Sequence, residues 1–539
     1  MKRTIIIPAA GLASRMKPLS KGISKAMIPV NGRPLISYII EHLNVNGGFD
    51  EMIIVENELG DIREFVSRVY PNLNITCVIQ EKKLGPLHAI EIGWEKSKIM
   101  DSAITIWLGD TICLDKFDWS KDFVSVHSVP DPHRWCLIDD KGKLYDKPDE
   151  PVPTDKALIG VYHFVNRVDF NLALKDGMNK PTHKNEYQIA GLLDSYQSLQ
   201  RYPFALVNSD EWYDCGELTT YYESKAKLLK RTARSFNKID VDIFYGTVTK
   251  SATDSEKKHK IELEKKWFKS LSEIQSIFVP RIFASCHGEL MMSLEPGTAL
   301  NEVLVYDNLR NDVWHQIIRK ILNIHHNVFF TQGLVKTSDI QKICFESYFV
   351  KNSERMQEIT NTFGHPEVRE FVENVSLELC KKPKWTLCLH GDSHLGNILY
   401  DPYSGNIRFV DPRGSFGSSE GIQGDLRYDM GKLLQDFYGG YSMIMADRYT
   451  LNIFEKEEVE PTKHVTIDWV GDSESLSDFL IVELLGYGYD VELLMKLAIV
   501  LLVTAIPFHA DSPKRQSALF YRSLDLINEL KTDKYVFVR

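Results

Sequence analysis

Two uninterrupted apolar runs dominate the first part of the chain, and each ends in a turn of small residues. Ile5-Ile6-Ile7 stops at Pro8-Ala9-Ala10-Gly11, and Ile104-Thr105-Ile106-Trp107-Leu108 stops at Gly109-Asp110. Both read as strands of the buried type. From Leu218 to Arg234, Tyr221, Tyr222, Ala226, Leu228 and Leu229 fall among polar residues at helical spacing. The basic end of that segment, Lys227, Lys230, Arg231 and Arg234, suits a helix C-terminus. Phe244 to Lys250 then reads as a strand ending in lysine, and Ile261 to Phe268 as a helix. Ile398-Leu399-Tyr400 and Ile407-Arg408-Phe409-Val410 flank Asp401-Pro402-Tyr403-Ser404-Gly405-Asn406, which is turn chemistry. A hairpin there carries Asp411 back beside Asn397. The most apolar run, Leu497 to Ile506, is expected to be a core helix too short to span a bilayer.

Chemistry concentrates around that hairpin. In His390-Gly391-Asp392-Ser393-His394-Leu395-Gly396-Asn397, an Asp and an Asn stand five residues apart on one loop, and Asp411-Pro412-Arg413 follows the next strand. Such a loop orients an acceptor hydroxyl and ligates Mg²⁺, while the second Asp holds metal against ATP phosphates. The constellation resembles the aminoglycoside phosphotransferase and choline kinase group of protein-kinase-like enzymes, over roughly the C-terminal 300 residues. The resemblance implies a bilobal α+β domain. It makes Asp392 the catalytic base, Asn397 and Asp411 the Mg²⁺ ligands, and Asp429 in Gly424-Asp425-Leu426-Arg427-Tyr428-Asp429 a brace for the loop. Lys250 and Glu264 are the candidates for the lysine on the ATP phosphates and its glutamate partner. Gly288 to Gly297 resembles the last strand of the smaller lobe running into the hinge that meets adenine. No full glycine-rich loop precedes Lys250, and Arg413 receives no role.

A second chemistry occupies the other end. The turn after Ile7 reaches Arg15, and Lys25 follows in Ser24-Lys25-Ala26-Met27. Small residues let backbone N–H groups approach phosphate oxygens, and two cations can neutralise a leaving pyrophosphate. The segment resembles the nucleotidyltransferases that make nucleotide sugars, whose opening reads glycine-x-glycine-x-arginine and then proline-lysine. Gly11, Arg15 and Lys25 match, but Ala13 replaces the second glycine and Ser24 the proline. The alanine is expected to be tolerated at negative φ. By the same resemblance Gln80 and Gly85 read the nucleobase, Asp110 and Asp214 of Trp212-Tyr213-Asp214-Cys215-Gly216 hold Mg²⁺, and Lys147 of Asp146-Lys147-Pro148 grips the sugar phosphate. Glu186 is a candidate for sugar hydroxyls. Each motif alone is an ordinary strand end or turn; their order across about 220 residues carries the reading.

The resemblances imply a Rossmann-like, mixed-sheet α/β nucleotidyltransferase domain at 1–232 and a kinase-like domain at 233–539, with lobes at about 240–297 and 298–539. Composition leaves room for both. The chain has 539 residues, 43% hydrophobic and 26% charged, enough for two to four compact units. A net charge of −10 argues against nucleic acid or an anionic membrane as the principal partner, leaving small molecules. Eight cysteines form no C-x-x-C pair, and Met1-Lys2-Arg3-Thr4 runs straight into the first strand. Both features suit a reduced, cytoplasmic setting. Ser235 to Asp240 is the expected join, too short and too poor in Gly, Ser and Pro to be a flexible tether.

The two chemistries make sense in series. ATP phosphorylates an alcohol or sugar, and a second NTP then gives its nucleoside monophosphate to that phosphate, yielding an NDP-activated metabolite for surface polysaccharide. Two other readings stay open. One is a choline-type kinase fused to a CTP-dependent cytidylyltransferase, with Tyr428, Phe437, Tyr438, Tyr441 and Trp469 as a possible ammonium cage. The other is a kinase beside a nucleotide-binding domain inactivated by Ala13 and Ser24. The acceptor, the base of the second NTP and the oligomeric state are not set by the sequence.

Overall fold

A computed structural model describes residues 2–531 apart from 12, 18, 181–185, 201–202, 233–236, 307–308, 332–336 and 457–458. The chain divides into two compact units, Met1–Leu229 and Lys230–Arg539. The division falls inside the helix Leu218–Thr232. Ser235 and Phe236 of the expected join lie outside the described residues, and Asn237 to Asp240 belong to the strand Asn237–Asp242.

The first unit is built on a mixed sheet. Lys2–Pro8 lies between Glu51–Glu56 and Ser102–Trp107, parallel to both, and Ile75–Ile79 continues the parallel side. Lys156–Phe164 joins Ser102–Trp107 antiparallel and reverses the sheet direction. Ile5, Ile6 and Ile7 are wholly buried, as their unbroken apolar run requires of a strand covered on both faces. The helix Pro86–Lys96 crosses so close that a Cβ on Gly93 would lie 2.6 Å from Ile6 Cγ2. A glycine is therefore needed where helix meets strand. A separate antiparallel pair, Thr111–Cys113 with Trp212–Asp214, sets Asp214 opposite Thr111. This pairing brings the two widely separated carboxylates, Asp110 and Asp214, to one end of the sheet.

The second unit has a β-rich part and a helical part. Asn237–Asp242, Thr247–Ala252, Glu289–Ser293 and Ile282–Cys286 form an antiparallel sheet in that order. The helix Ser255–Lys269 is capped by Asp254, whose carboxylate accepts from the Lys257 N–H, and it packs against Thr247–Ala252. The expected hairpin forms between Ile398–Asp401 and Asn406–Phe409. Its turn is held by Asp401, which accepts from Tyr403 N–H and the Ser404 hydroxyl.

The helical part corrects one expectation. Val491–Val503 runs on through Ile506–His509, giving a largely apolar 19-residue segment, long enough to cross a membrane by length and composition. It is mostly buried within the fold. Gly431 of the helix Arg427–Phe437 sits against it, where a Cβ would lie 2.7 Å from Leu497 Cγ. A hairpin of Tyr449–Lys456 and Val459–Ile467 was not expected. Its strands carry too many charged and polar residues to show a strong alternating pattern.

Candidate active sites

In the first unit a cavity of about 260 Å³ opens where the sheet reverses direction, lined by Arg15, Lys25, Asp110, Lys147 and Asp214 among others. Ligands of open α/β sheets bind at such a place. Lys25 Nζ lies 2.6 Å from Asp110 Oδ2 and 3.0 Å from the Gly216 carbonyl. Burial pushes the Asp110 carboxyl up, but the charge and hydrogen bond of Lys25, with Arg15 beyond, hold it below its ordinary value. At Asp214 burial raises the carboxyl and the Asp110 charge adds to the rise, outweighing the Thr220 hydrogen bond and the Lys25 charge. Its Oδ1 accepts from the Gly216 N–H at 2.8 Å. A Cβ on Gly216 would stand 2.9 Å from that oxygen, so the glycine fits the carboxylate in place.

Lys25 is positioned by a contact the sequence reading overlooked. The Ser24 N–H donates to Asp61 Oδ2 at 2.7 Å and the Ser24 hydroxyl to Asp61 Oδ1 at 2.5 Å, with Asn57 Oδ1 3.2 Å from the same hydroxyl. Asp61 opens the helix Asp61–Val69. A proline at position 24 has no N–H to give. The serine therefore replaces a rigid ring by a two-point tether.

Several expectations are revised. Ala13 lies in the left-handed region at φ 49° and ψ 35°, not at negative φ. Gly11 is exposed, is not at positive φ, and has nothing within 4 Å of where a Cβ would stand. Gln80 is buried, and its amide nitrogen is spent on the Gly85 carbonyl at 3.1 Å and His88 Nδ1 at 3.0 Å. Gly85, at φ 100°, packs against Glu186 and Tyr187, where a Cβ would meet atoms at 2.8 Å. Gln80 and Gly85 thus shape the loop behind the cavity and do not line it. Glu186 is exposed and also outside it, whereas its neighbours Gln188, Ile189 and Ala190 line it. Trp135 and Arg134, which no motif had marked, do line the cavity. Trp135 stacks edge-on with Trp212 at 5.3 Å, and Arg134 pairs with Glu217 at 2.7 Å.

Residues 5–121 of this unit match the family of MobA-like NTP transferase domains. The N-terminal unit carries an NTP transferase domain. This transferase domain is homologous to sugar nucleotidyltransferases. The chain is 28% identical over 253 residues to the low-salt glycan biosynthesis nucleotidyltransferase Agl11 of Haloferax volcanii, covering 42% of this chain and 66% of that protein's length. It is 26% identical over 262 residues to a UTP–glucose-1-phosphate uridylyltransferase of Bacillus subtilis, covering 40% of this chain and 87% of the relative. Among solved structures, a UDP-glucose pyrophosphorylase from Acinetobacter baumanii aligns at 20% identity over 43% of this chain and 95% of its own, with a TM-score of 0.36.

In the second unit three segments converge on one lysine. Lys250 Nζ lies 2.7 Å from Glu264 Oε2 and pairs with Asp411 Oδ1, 161 residues away. Burial works against the Lys250 charge, yet Asp411 and Glu264 hold its ammonium above its ordinary value. Burial pushes Glu264 up to about 7 despite the lysine beside it. The Lys250 charge holds Asp411 below the usual carboxylate range.

The loop carrying Asp392 and Asn397 is fixed from below. Asp429, fully buried, accepts from the N–H groups of His390 at 3.0 Å and Gly391 at 2.8 Å, which is the bracing expected of it. Asp436, not singled out by the sequence, accepts from the Leu395 N–H at 2.7 Å. His390 Nδ1 takes the Asp392 N–H, so Nε2 carries the proton donated to the Val410 carbonyl. Val410 N–H closes on the Asn397 carbonyl at 3.0 Å, setting Asp411 beside Asn397 as the hairpin promised. Asn397 Nδ2 donates to the Asp392 carbonyl at 3.0 Å, which leaves its Oδ1 as the oxygen available to a metal. Asp392 Oδ1 lies 3.1 Å from Lys432 Nζ. Burial raises the Asp392 carboxyl, but Lys432 overrides it and holds the group ionised well below the usual range.

Both sites offer oxygen donors and no thiol or imidazole cage. Among the described residues no three carboxylate, imidazole or thiol groups converge on a point. Such paired oxygen sites suit Mg²⁺, which keeps its own waters and is completed by substrate phosphates. The residues that would hold it are Asp110 and Asp214 in one unit, Asn397 and Asp411 in the other.

Proposed function

We propose that the chain is a bifunctional enzyme acting in series. The second unit phosphorylates a small alcohol or sugar with ATP. The first joins the resulting phosphate to a nucleoside monophosphate from a second NTP, giving an NDP-activated metabolite for surface polysaccharide, in the cytoplasm. The observation that carries the proposal is the convergence of Lys250, Glu264 and Asp411 beside the Asp392–Asn397 loop, in a chain whose other unit is an NTP transferase domain.

In the first reaction Asp392 accepts the hydroxyl proton as the acceptor oxygen bonds to the γ-phosphorus and the bond to the bridging oxygen breaks, releasing ADP. Lys250, held by Glu264, neutralises charge on the ATP phosphates. In the second, a phosphate oxygen of the product bonds to the α-phosphorus of the NTP while pyrophosphate leaves. Arg15 and Lys25 neutralise that leaving group, and Lys147, exposed at the cavity rim, meets the acceptor phosphate. Bound Mg²⁺ supplies further neutralisation of the phosphates at each site. Names of the relatives, which include nucleotidyltransferases of glycan biosynthesis and of glucose 1-phosphate, support a sugar-type acceptor phosphate.

The test is a paired assay on the full chain. ATP consumption is read over sugars, polyols, hydroxy acids and amino alcohols, and pyrophosphate release with each NTP. Asp392→Ala is expected to abolish the first signal and leave the second intact when phosphorylated acceptor is supplied; Asp110→Ala does the reverse. Pyrophosphate that never appears with any phosphorylated acceptor would reduce the first unit to a binding module.

A further inference from the structure

We propose that the acceptor phosphorylated by the second unit carries an oxyanion, a carboxylate or phosphate ester, held beside Asp392 by Arg413, Lys351, Arg355 and Lys432. The inference rests on the kinase reading of this unit and narrows it from alcohols in general to charged ones.

The geometry centres on Tyr428. Arg413 Nη1 donates to the Tyr428 hydroxyl at 3.1 Å, and the Arg413 guanidinium and the Lys432 ammonium each lie 5.9 Å from its ring centre. Tyr428 is buried, with Tyr348 and Phe416 packed against it. Its ring therefore already faces two cations and is not open to a third, as a quaternary ammonium would need. Phe437 and Tyr438 are buried core residues as well. Of the aromatic residues open to a choline-type acceptor, Tyr428 faces the protein's own charges and Phe437 and Tyr438 belong to the core; Tyr441 and Trp469 are half-buried.

Arg413 and Lys432 flank Tyr428, and the charges of Arg413, Arg355 and Lys432 all reach Lys351, with Asp392 the carboxylate acting on it. Asp392 is engaged by Lys432 at 3.1 Å. Lys351, Arg355 and Arg413 make no ion pair among the described residues; Arg355 donates only to the Thr504 carbonyl at 3.3 Å and lies over the Phe508 ring. Lys351 is half-buried at the start of the helix Lys351–Phe363; its backbone N–H donates to the Glu346 carbonyl, and its ammonium has no hydrogen-bond or ion-pair partner among the described residues. Burial, then the charges of Arg413, Arg355 and Lys432, push its ammonium well below its ordinary value. Holding like charges together without counter-ions costs stability, and a bound oxyanion removes that cost. Arginine forks match planar carboxylate and tetrahedral phosphate alike. Arg413 reaches this place because its backbone N–H closes on the His390 carbonyl at 3.0 Å, and Gly391 leaves room for its stem.

The experiment pairs turnover with direct binding on the full chain. Matched acceptors are glycerate and glycerol, gluconate and glucose, glucose 6-phosphate and glucose, with choline and ethanolamine as cationic probes. ADP release is expected to favour one anionic class over its neutral partner by about tenfold or more; carboxylate and phosphate arms separate the two sources. Lys351→Met and Arg413→Gln are expected to raise KM for that acceptor about tenfold with KM for ATP unchanged. Calorimetric binding of the same anions to wild type and Lys351→Met reads the site without chemistry. Anion binding lost in Lys351→Met, with no ADP released from any acceptor, overturns the kinase reading and keeps the anion site. Equal or better turnover of neutral or cationic acceptors overturns the anion site alone, as does a rise in KM for ATP in place of the acceptor. Absence of both signals overturns both.

Discussion

The indole of Trp267 donates from Nε1 to the carbonyl of Leu389 at 2.6 Å, and its ring stands edge-on to His390 at 5.7 Å. Trp267 lies one turn beyond Glu264 on the helix Ser255–Lys269, and Leu389 immediately precedes the His390-Gly391-Asp392 loop. The helix that holds the Lys250 partner is thereby pinned to the loop that holds the proposed base.

Trp267→Phe keeps most of the packing and leaves the buried Leu389 carbonyl without its donor. A loss of about 1–3 kcal/mol is expected. ATP turnover should fall, and pyrophosphate release from a supplied phosphorylated acceptor should not. Thermal unfolding and the two assays measure this; equal loss in both assays would mean the contact only stabilises the whole chain.

Ser24 and Asp61 govern the other site. Asp61→Ala removes the two Asp61 bonds of Ser24, leaving only the longer Asn57 contact, and loosens the turn that delivers Lys25 to Asp110 and the Gly216 carbonyl. Pyrophosphate release should drop by about tenfold or more, the scale of losing charge-assisted hydrogen bonds that position a catalytic group. ADP release should be unchanged. An Asp61→Ala enzyme with normal pyrophosphate release would show that the tether is dispensable.

Ala13 at φ 49° bears the strain of a left-handed residue with a side chain. That conformation costs about 1–2 kcal/mol, of which Gly returns part, since Gly loses about 0.4–1 kcal/mol more in chain entropy. Ala13→Gly should therefore stabilise the first unit by up to about 1 kcal/mol, a rise of about 2–4 °C in its unfolding midpoint. Calorimetry of the two transitions checks it; a lowered midpoint would mean the alanine methyl makes contacts that outweigh the strain.

Asp429 makes stability pH-dependent. Burial pushes its carboxyl up to about 7 although two backbone N–H groups favour its anion. The folded state then keeps the proton between about pH 4 and pH 7 while the unfolded chain, near 3.9, has released it. The stability from this group is present in acid, declines as pH rises through that window and is level above it. Asp429→Asn lacks the titration, so the gap in unfolding midpoint between wild type and variant should narrow from pH 5 to pH 8. A gap that widens with pH would mean the carboxylate is ionised throughout.

Much of the fold was legible because it depends on local pattern. Ile5-Ile6-Ile7, the Ile104–Leu108 run and the two halves of the Ile398–Phe409 hairpin declare their strands by unbroken apolar character and turn chemistry. Lys250 and Glu264 could be paired because a strand lysine and a helix glutamate follow one another closely in the chain, although the strand runs Thr247–Ala252 and does not end at the lysine as expected. Gln80 misled for the opposite reason. A glutamine near a glycine is the same string whether the amide faces a ligand or, as here, is spent on Gly85 and His88. Trp135, Lys432, Asp436 and Lys351 carried no motif, and nothing in a single chain marks a residue whose partners lie far away in sequence.

By itself the sequence determined the kinds of chemistry present: two acidic pairs, each with a lysine, on apolar strands that place them at sheet or hairpin ends. These follow from side-chain identity and from periodicities of a few residues, which neighbouring positions enforce. Only the tertiary structure decided what each charge faces. Asp61 reaches Ser24 across 37 positions and Asp411 reaches Lys250 across 161. Arg413, Lys351 and Arg355 come from separate segments and make no ion pair among the described residues, although burial removes the water that would screen their repulsion.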